Sequence, residues 1–277
     1  MRTDTQNMRS AVFAANRARG AVALDVGLRD GVTRRGSLHE SGSLRVRFPS
    51  PEGDRLSAVF VNSAGGIAGG DRFKIAINAR EGARLTMTTA AAEKVYRAQA
   101  EPAALDIALK VAPFAHLAWL PQETILFDGA KVSRRIDIDV AEGGSLLLCE
   151  IVVFGRAAMG ERMRHGSFVD RWRLRHGGRL AFAEIVRLEG DIGAKLARPA
   201  IAAGGAAVAT ALIVPGDEAL VERIRDISGQ LGEVGVSSWN GFAIARFCAQ
   251  DAARLRADVI AVFGQIGGHP LPRLWLN

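Results

Sequence analysis

Only two cysteines, Cys149 and Cys248, occur in the 277 residues. Two thiols cannot build a disulfide framework or a four-thiolate zinc site. The five histidines (His39, His116, His165, His176 and His269) never stand three or four apart. No helical turn therefore presents a histidine pair to a metal. Together these scarcities disfavour a preformed soft-ligand metal enzyme and suit a reduced cellular compartment. Long apolar runs are also lacking. The longest uncharged stretch, Ala200 to Val214, is too short to span a bilayer and is bracketed by Pro199 and Pro215. It reads as a strand pair turning at Gly204-Gly205. The first twenty residues are polar and basic, and Ala11 to Ala15 is too short for a secretory core. The expected address is the cytoplasm, with no membrane partner.

Apolar residues make up 48% of the chain and charged ones 23%, which excludes a disordered or collagen-like polymer. The formal net charge is +7. A basic balance of that size is compatible with nucleic acid, an anionic surface or an acidic protein partner. Arg171, Arg173 and Arg175 alternate around Trp172 and Leu174, so the arginines share one strand face. An exposed face is the simpler reading of that pattern, and no nucleic-acid partner is expected.

Most of the chain reads as short strands punctuated by glycine. Ser43 to Phe48, Leu56 to Asn62, Phe73 to Ile77, Arg84 to Thr88, Leu105 to Val111, His116 to Leu120 and Lys131 to Val140 carry apolar alternation. Ser145 to Phe154 is a nearly continuous apolar run. Ser167 to Arg175 and Leu180 to Leu188 form a pair across Gly177-Gly178, a hairpin signal. Strands and glycine turns at roughly ten-residue spacing predict a mainly β protein with a long multi-stranded body. No fixed-period repeat supports a regular solenoid. The last quarter differs. Gly216 to Gln230 and Gln250 to Phe263 have helical apolar spacing, and Asp217 stands at an N-cap position. Between them Gly235 to Phe247 predicts a hairpin at Asn240-Gly241. A β-α-β-β-α unit over 216–263 thus completes one domain spanning 1–277, with 1–19 expected to be flexible.

Three segments concentrate chemistry. In Asn62 to Asp71, NSAGGIAGGD, the glycines Gly65, Gly66, Gly69 and Gly70 follow a strand. A glycine-rich turn after a strand can cradle phosphate, but no helix follows and the P-loop Lys-Ser/Thr pair is missing. A tight loop, or a backbone-rich contact with a partner, remains. In Leu120 to Ala130, LPQETILFDGA, Glu123 precedes an apolar strand, either solvated or at the mouth of a polar cavity. In Ser145 to Arg162, Glu150 is the one acid inside LLLCEIVVF. A lone buried carboxylate costs several kcal/mol unless it is paired or neutral. An arginine partner or a water-lined ion path would answer it. Glu184 in LAFAEIVRL repeats the pattern. Asp71, Glu150 and Glu184 suggest an internal acidic path, since carboxylates hold divalent cations exchangeably. Glu123 and Glu161 are weaker candidates, and Arg156 and Glu161 could pair with each other or with the buried acids. Cys149 points to the opposite strand face from Glu150 and is expected in the core. No nucleophile elbow or spaced catalytic array is present.

NSAGGIAGGD at 62–71, AAAEKVYRA at 90–98, LPQETILFDGA at 120–130, EIVVFGRAAMGE at 150–161 and LPRLW at 271–275 stand in an order that resembles the UreD family of urease accessory proteins. The resemblance runs from about residue 20 to the end. One departure is Ala64, where many family members carry proline before the first Gly-Gly. The resemblance implies a non-catalytic maturation factor for urease. It implies a complex with UreF and the GTPase UreG on the urease apoprotein, with Ni²⁺ in transit and no tightly bound cofactor. GTP would belong to the UreG partner, in keeping with the missing P-loop. It also implies a helical-stack β fold with two helices. A stand-alone enzyme or ligand-binding protein built on the 62–71 loop is the competing reading.

Overall fold

The computed structural model describes residues 17–49, 53–229, 231–266 and 271–276. The strands fall into two facing sheets. The first holds, in order across the sheet, β14 (Arg179–Asp191), β13 (His165–His176), β11 (Lys131–Val140), β8 (Ala103–Val111), β5 (Arg72–Ala79), β1 (Arg19–Arg29) and β2 (Val32–Gly42). The second holds β16 (Glu233–Trp239), β17 (Phe242–Ala249), β15 (Ala207–Val214), β12 (Ser145–Phe154), β9 (His116–Trp119), β6 (Arg84–Thr89), β4 (Leu56–Asn62) and β3 (Leu44–Arg47). Two short strands, β7 (Glu93–Val95) and β10 (Thr124–Leu126), pair with each other, and β10 also pairs with β12.

Between β4 and β13 the chain winds from one sheet to the other and back, so strands of successive coils stack parallel. In the first sheet Arg72 lies beside Ala104, Ala104 beside Ser133, and Ser133 beside Val169. The coils are therefore 32, 29 and 36 residues long. That unevenness explains why a solenoid-like stack shows no fixed period in the sequence. The glycine turns at Glu81-Gly82 and Gly143-Gly144 carry the chain between sheets, whereas Gly177-Gly178 and Asn240-Gly241 close true hairpins, β13–β14 and β16–β17.

The apolar alternation becomes a core between the sheets. Val132, Ile136 and Ile138 of β11 meet Leu146, Leu148 and Val152 of β12 there. The run in β12 is continuous because both of its faces are covered. Leu147, Cys149, Ile151 and Val153 face a second core under the helices, with Cys149 fully buried as expected. The predicted β-α-β-β-α unit is present as β15, α2 (Glu218–Ser228), β16, β17 and α3 (Ala252–Phe263). Asp217 and Asp251 cap the two helices by accepting from the N–H of Leu220 and Arg254. Leu220 and Ile224 of α2, and Leu255, Val259 and Phe263 of α3, cover the outer face of the second sheet.

One expectation is corrected. The stretch 200–214 is not a strand pair: only Ala207–Val214 is strand, and 198–205 is a chain of turns after a short helix, α1 (Ile192–Leu196). Residues 1–16 of the stretch expected to be flexible lie outside the described residues, but Arg19 already opens β1 and Ala18 is anchored. Among the described residues no helix is long and apolar enough to cross a membrane.

Candidate functional site

Four of the five singled-out segments occupy the same corner of successive coils. Ile67, Val95, Leu126 and Phe154 stack there as a short parallel ladder, each of them buried. The segments lie far apart in sequence and contribute one rung each. LPRLW closes over the neighbouring strands. Trp275 donates from its indole to the Leu120 carbonyl at 2.9 Å and stacks on Phe263 at 5.8 Å. Gln122 donates to the Leu274 carbonyl at 2.7 Å.

The glycine-rich loop is packed tightly on that corner. Gly66 has φ +146°, and a Cβ there would meet the Tyr96 ring at 2.5 Å. A Cβ on Gly69 would meet Ala98 at 2.4 Å and the Glu101 carbonyl at 2.7 Å. Tyr96 donates its hydroxyl to the Gly65 carbonyl at 2.7 Å. Asp71 is buried, and its two carboxylate oxygens accept from the N–H groups of Ala18 (2.8 Å) and Ala68 (2.7 Å). It staples the loop to the start of β1. Beside the loop, burial pushes the Glu93 carboxyl up to about 7, against the opposing hydrogen bonds from Asn62.

Glu150 lies between the sheets, and an arginine answers it. Arg134 of β11 bonds Glu150 and also forks onto Asp170 of β13, at 3.0 and 2.6 Å. Trp119 donates its indole N–H to the other Glu150 oxygen at 2.9 Å. All three charged groups are buried. Burial pushes the Glu150 carboxyl up, with Arg134 and Trp119 pulling the other way. Burial alone would lower the Arg134 pKa, but Asp170 and Glu150 more than reverse it.

A line of polar groups continues from this cluster toward the open end of the sandwich. Thr210 of β15 is the register neighbour of Glu150, and Arg246 of β17 is the register neighbour of Thr210. Arg246 reaches across the gap to Glu184 of β14 at 2.7 Å. A cavity of about 690 Å³ opens there, lined among others by Phe168, Val186, Leu188, Thr210, Arg246 and Cys248. Glu184 is not embedded as its apolar neighbours suggested, because β14 is an edge strand and the side chain keeps 25% of its exposure. Glu150 and Glu184 thus belong to one polar seam. Asp71 lies on a different part of the molecule, with both oxygens already engaged.

The remaining candidates sit on the outer side of the corner. Glu123 pairs with Arg256 of α3, whose guanidinium also bonds Gln122. Arg156 pairs with Glu161 and lies over the Phe127 ring at 4.1 Å. Glu161 also accepts from the Asp128 N–H, and the Arg156 hydrogen bond holds its carboxyl below the usual range. Glu123 and Arg156 line a groove of about 950 Å³ with Tyr96, Phe127 and the largely exposed Met159. Arg134, Asp170, Glu93 and Arg256 escaped the sequence reading. Two of them carried a signal: Arg134 shares the phase of Val132 and Ile136, and Asp170 that of Phe168 and Trp172. Among the described residues no three His, Cys, Asp or Glu side chains gather as a metal centre.

A family model described as the UreD urease accessory protein matches residues 18–276. A urease accessory protein UreD 3 from a Bradyrhizobium species is 70% identical over the whole of both chains. UreD proteins of Rhodopseudomonas palustris and Bradyrhizobium diazoefficiens are each 72% identical, over 99% and 97% of this chain and 96% and 97% of their own lengths. The chain therefore belongs to the UreD family of urease accessory proteins.

Proposed function

We propose that the chain is a non-catalytic scaffold of urease maturation in the cytoplasm. In this reading it joins UreF and UreG on the urease apoprotein, and Ni²⁺ moves as cargo along the seam between the sheets. The observation that carries the reading is the line from Arg134, Glu150 and Asp170 through Thr210 to Arg246 and Glu184. Two of its carboxylates, Glu150 and Glu184, stand within apolar strand sequences. A lining of separated carboxylates, each shared with an arginine, offers weak and exchangeable sites, which suit passage better than storage. Asp71 enters as the staple of the glycine-rich loop, and Glu123, Arg156 and Glu161 as the frame of the outer groove, where partner contact is placed. GTP hydrolysis is left to UreG.

The test is nickel content of urease matured with Glu150→Gln and Glu184→Gln chains. Both variants should assemble with the partners and leave urease depleted of nickel. Full nickel content and activity with both would remove the seam as a path. The competing enzyme reading has no support from the loop geometry, because Gly66 and Gly69 are packed against Tyr96 and Ala98 and the carboxylate of Asp71 is engaged.

A further inference from the structure

The two sheets end differently at their edges. Natural sheets blunt exposed edges with charges, bulges or very short strands. β2 carries Arg34, Arg35 and Glu40 and is itself bulged at Gly36-Ser37 against β1. β14 carries Arg187, Glu189 and Asp191 and is bulged at Ala181 near its turn, and β3 has four residues. β16, EVGVSSW, has no lysine, arginine or proline, and its register with β17 is unbroken. Asn240 and Gly241, with φ of 49° and 80°, close the two-residue turn that joins the strands. In such a hairpin Trp239 and Phe242 form a hydrogen-bonded pair, and the bonding alternates from there. Glu233, Gly235, Ser237 and Trp239 therefore bond β17. Val234, Val236 and Ser238 turn their N–H and C=O groups to the free edge. Among the described residues no backbone group pairs with them.

Beyond this edge lies the gap to β14, the last strand of the opposite sheet. The cavity of about 690 Å³ fills that gap, and Gly232 to Gly235 form one of its walls. Its other walls are mixed: Phe168, Val186, Leu188 and Ile201 are apolar, and Thr210 and Arg246 bring the polar seam into it. Ile185, at 60% exposure, marks the facing strand. A helix would leave the edge amides unpaired, and a small apolar ligand would do the same. A strand satisfies both the backbone and the cavity.

We infer that β16 is a strand-addition site: an extended segment of a partner protein pairs with Val234, Val236 and Ser238 and sends alternate apolar side chains into the cavity toward Val186 and Leu188. The added strand extends the second sheet beyond β16. Main-chain bonds supply affinity, and the apolar walls of the cavity select the alternating pattern. The inference rests on the proposed role in an assembly, and it specifies how one member attaches.

Hydrogen exchange of the whole chain, free and in complex with apo-urease, UreF and UreG, tests it. In the complex the edge amides of Val234, Val236 and Ser238 should exchange at least about ten-fold more slowly, while the β2 edge is unchanged. Val236→Pro and Ser238→Pro remove edge donors without breaking a β16–β17 bond. Each variant should melt close to the parent and assemble at least about ten-fold more weakly. A complex that forms with the three amides still exchanging as in the free chain overturns strand addition and leaves the maturation role intact. Protection that instead rises with concentration of the free chain assigns the edge to a second copy and also overturns it. Absence of any complex removes the maturation role and this inference together.

Discussion

Burial raises the Glu93 carboxyl from 4.5 to about 7, and that shift has a sign in stability. The folded state holds this proton more tightly than the unfolded chain does. Its contribution is therefore present below the unfolded value and is lost as pH rises from about 4.5 to 7. The full loss is about 3 kcal/mol. Glu93→Gln should remove this component, so its melting temperature should fall less than that of the parent across the same window. Identical slopes in thermal melts from pH 4.5 to 7.5 would show that Glu93 titrates normally. The Arg134 cluster is a second residue-scale case. Arg134→Met leaves two buried carboxylates without their cation and should cost about 3–5 kcal/mol in urea unfolding. Replacing Arg134, Glu150 and Asp170 together by apolar residues should cost far less, because no charge is then stranded. An equal loss in the single and triple variants would mean that shape, not charge, governs this part of the core.

At the scale of elements, the glycine-rich loop separates two kinds of glycine. Gly69 has no positive φ, yet its position leaves no room for a Cβ against Ala98. Gly65 has φ +75° and open space around it. Gly69→Ala should cost about 1–3 kcal/mol through overpacking, and should be rescued in part by Ala98→Gly. Gly65→Ala should cost about 1–2 kcal/mol through backbone strain alone, with no rescue by any neighbour. A double-mutant cycle between residues 69 and 98 checks this through its coupling energy. The C-terminal clamp makes its own prediction. Trp275 is 1% exposed, bonds Leu120 and stacks on Phe263. Trp275→Ala should cost about 3–5 kcal/mol and speed hydrogen exchange in α3 before the parallel coils.

For the whole molecule, the sequence by itself determined the strand-rich body, both long helices with the Asp217 cap of the first, and the two hairpins. These rest on local physics: period-two burial, helical spacing, and turns in which glycine accepts positive φ. It also determined that Glu150 needs a partner, because an acid in a fully apolar strand is costly wherever that strand lies. The resemblance in five ordered segments was legible for the same reason, since each segment is contiguous. Only the tertiary structure decided what meets what. The coil lengths of 32, 29 and 36 residues hide the repeat, so nothing in the sequence announces that Ile67, Val95, Leu126 and Phe154 form one ladder. Arg134 answers Glu150 from the facing sheet, and Glu184 stands on an edge rather than in the core, because sheet order is a long-range property. Which strand lies at an edge, and whether a cavity opens beside it, depends on how the two sheets end, and no window of sequence contains both ends.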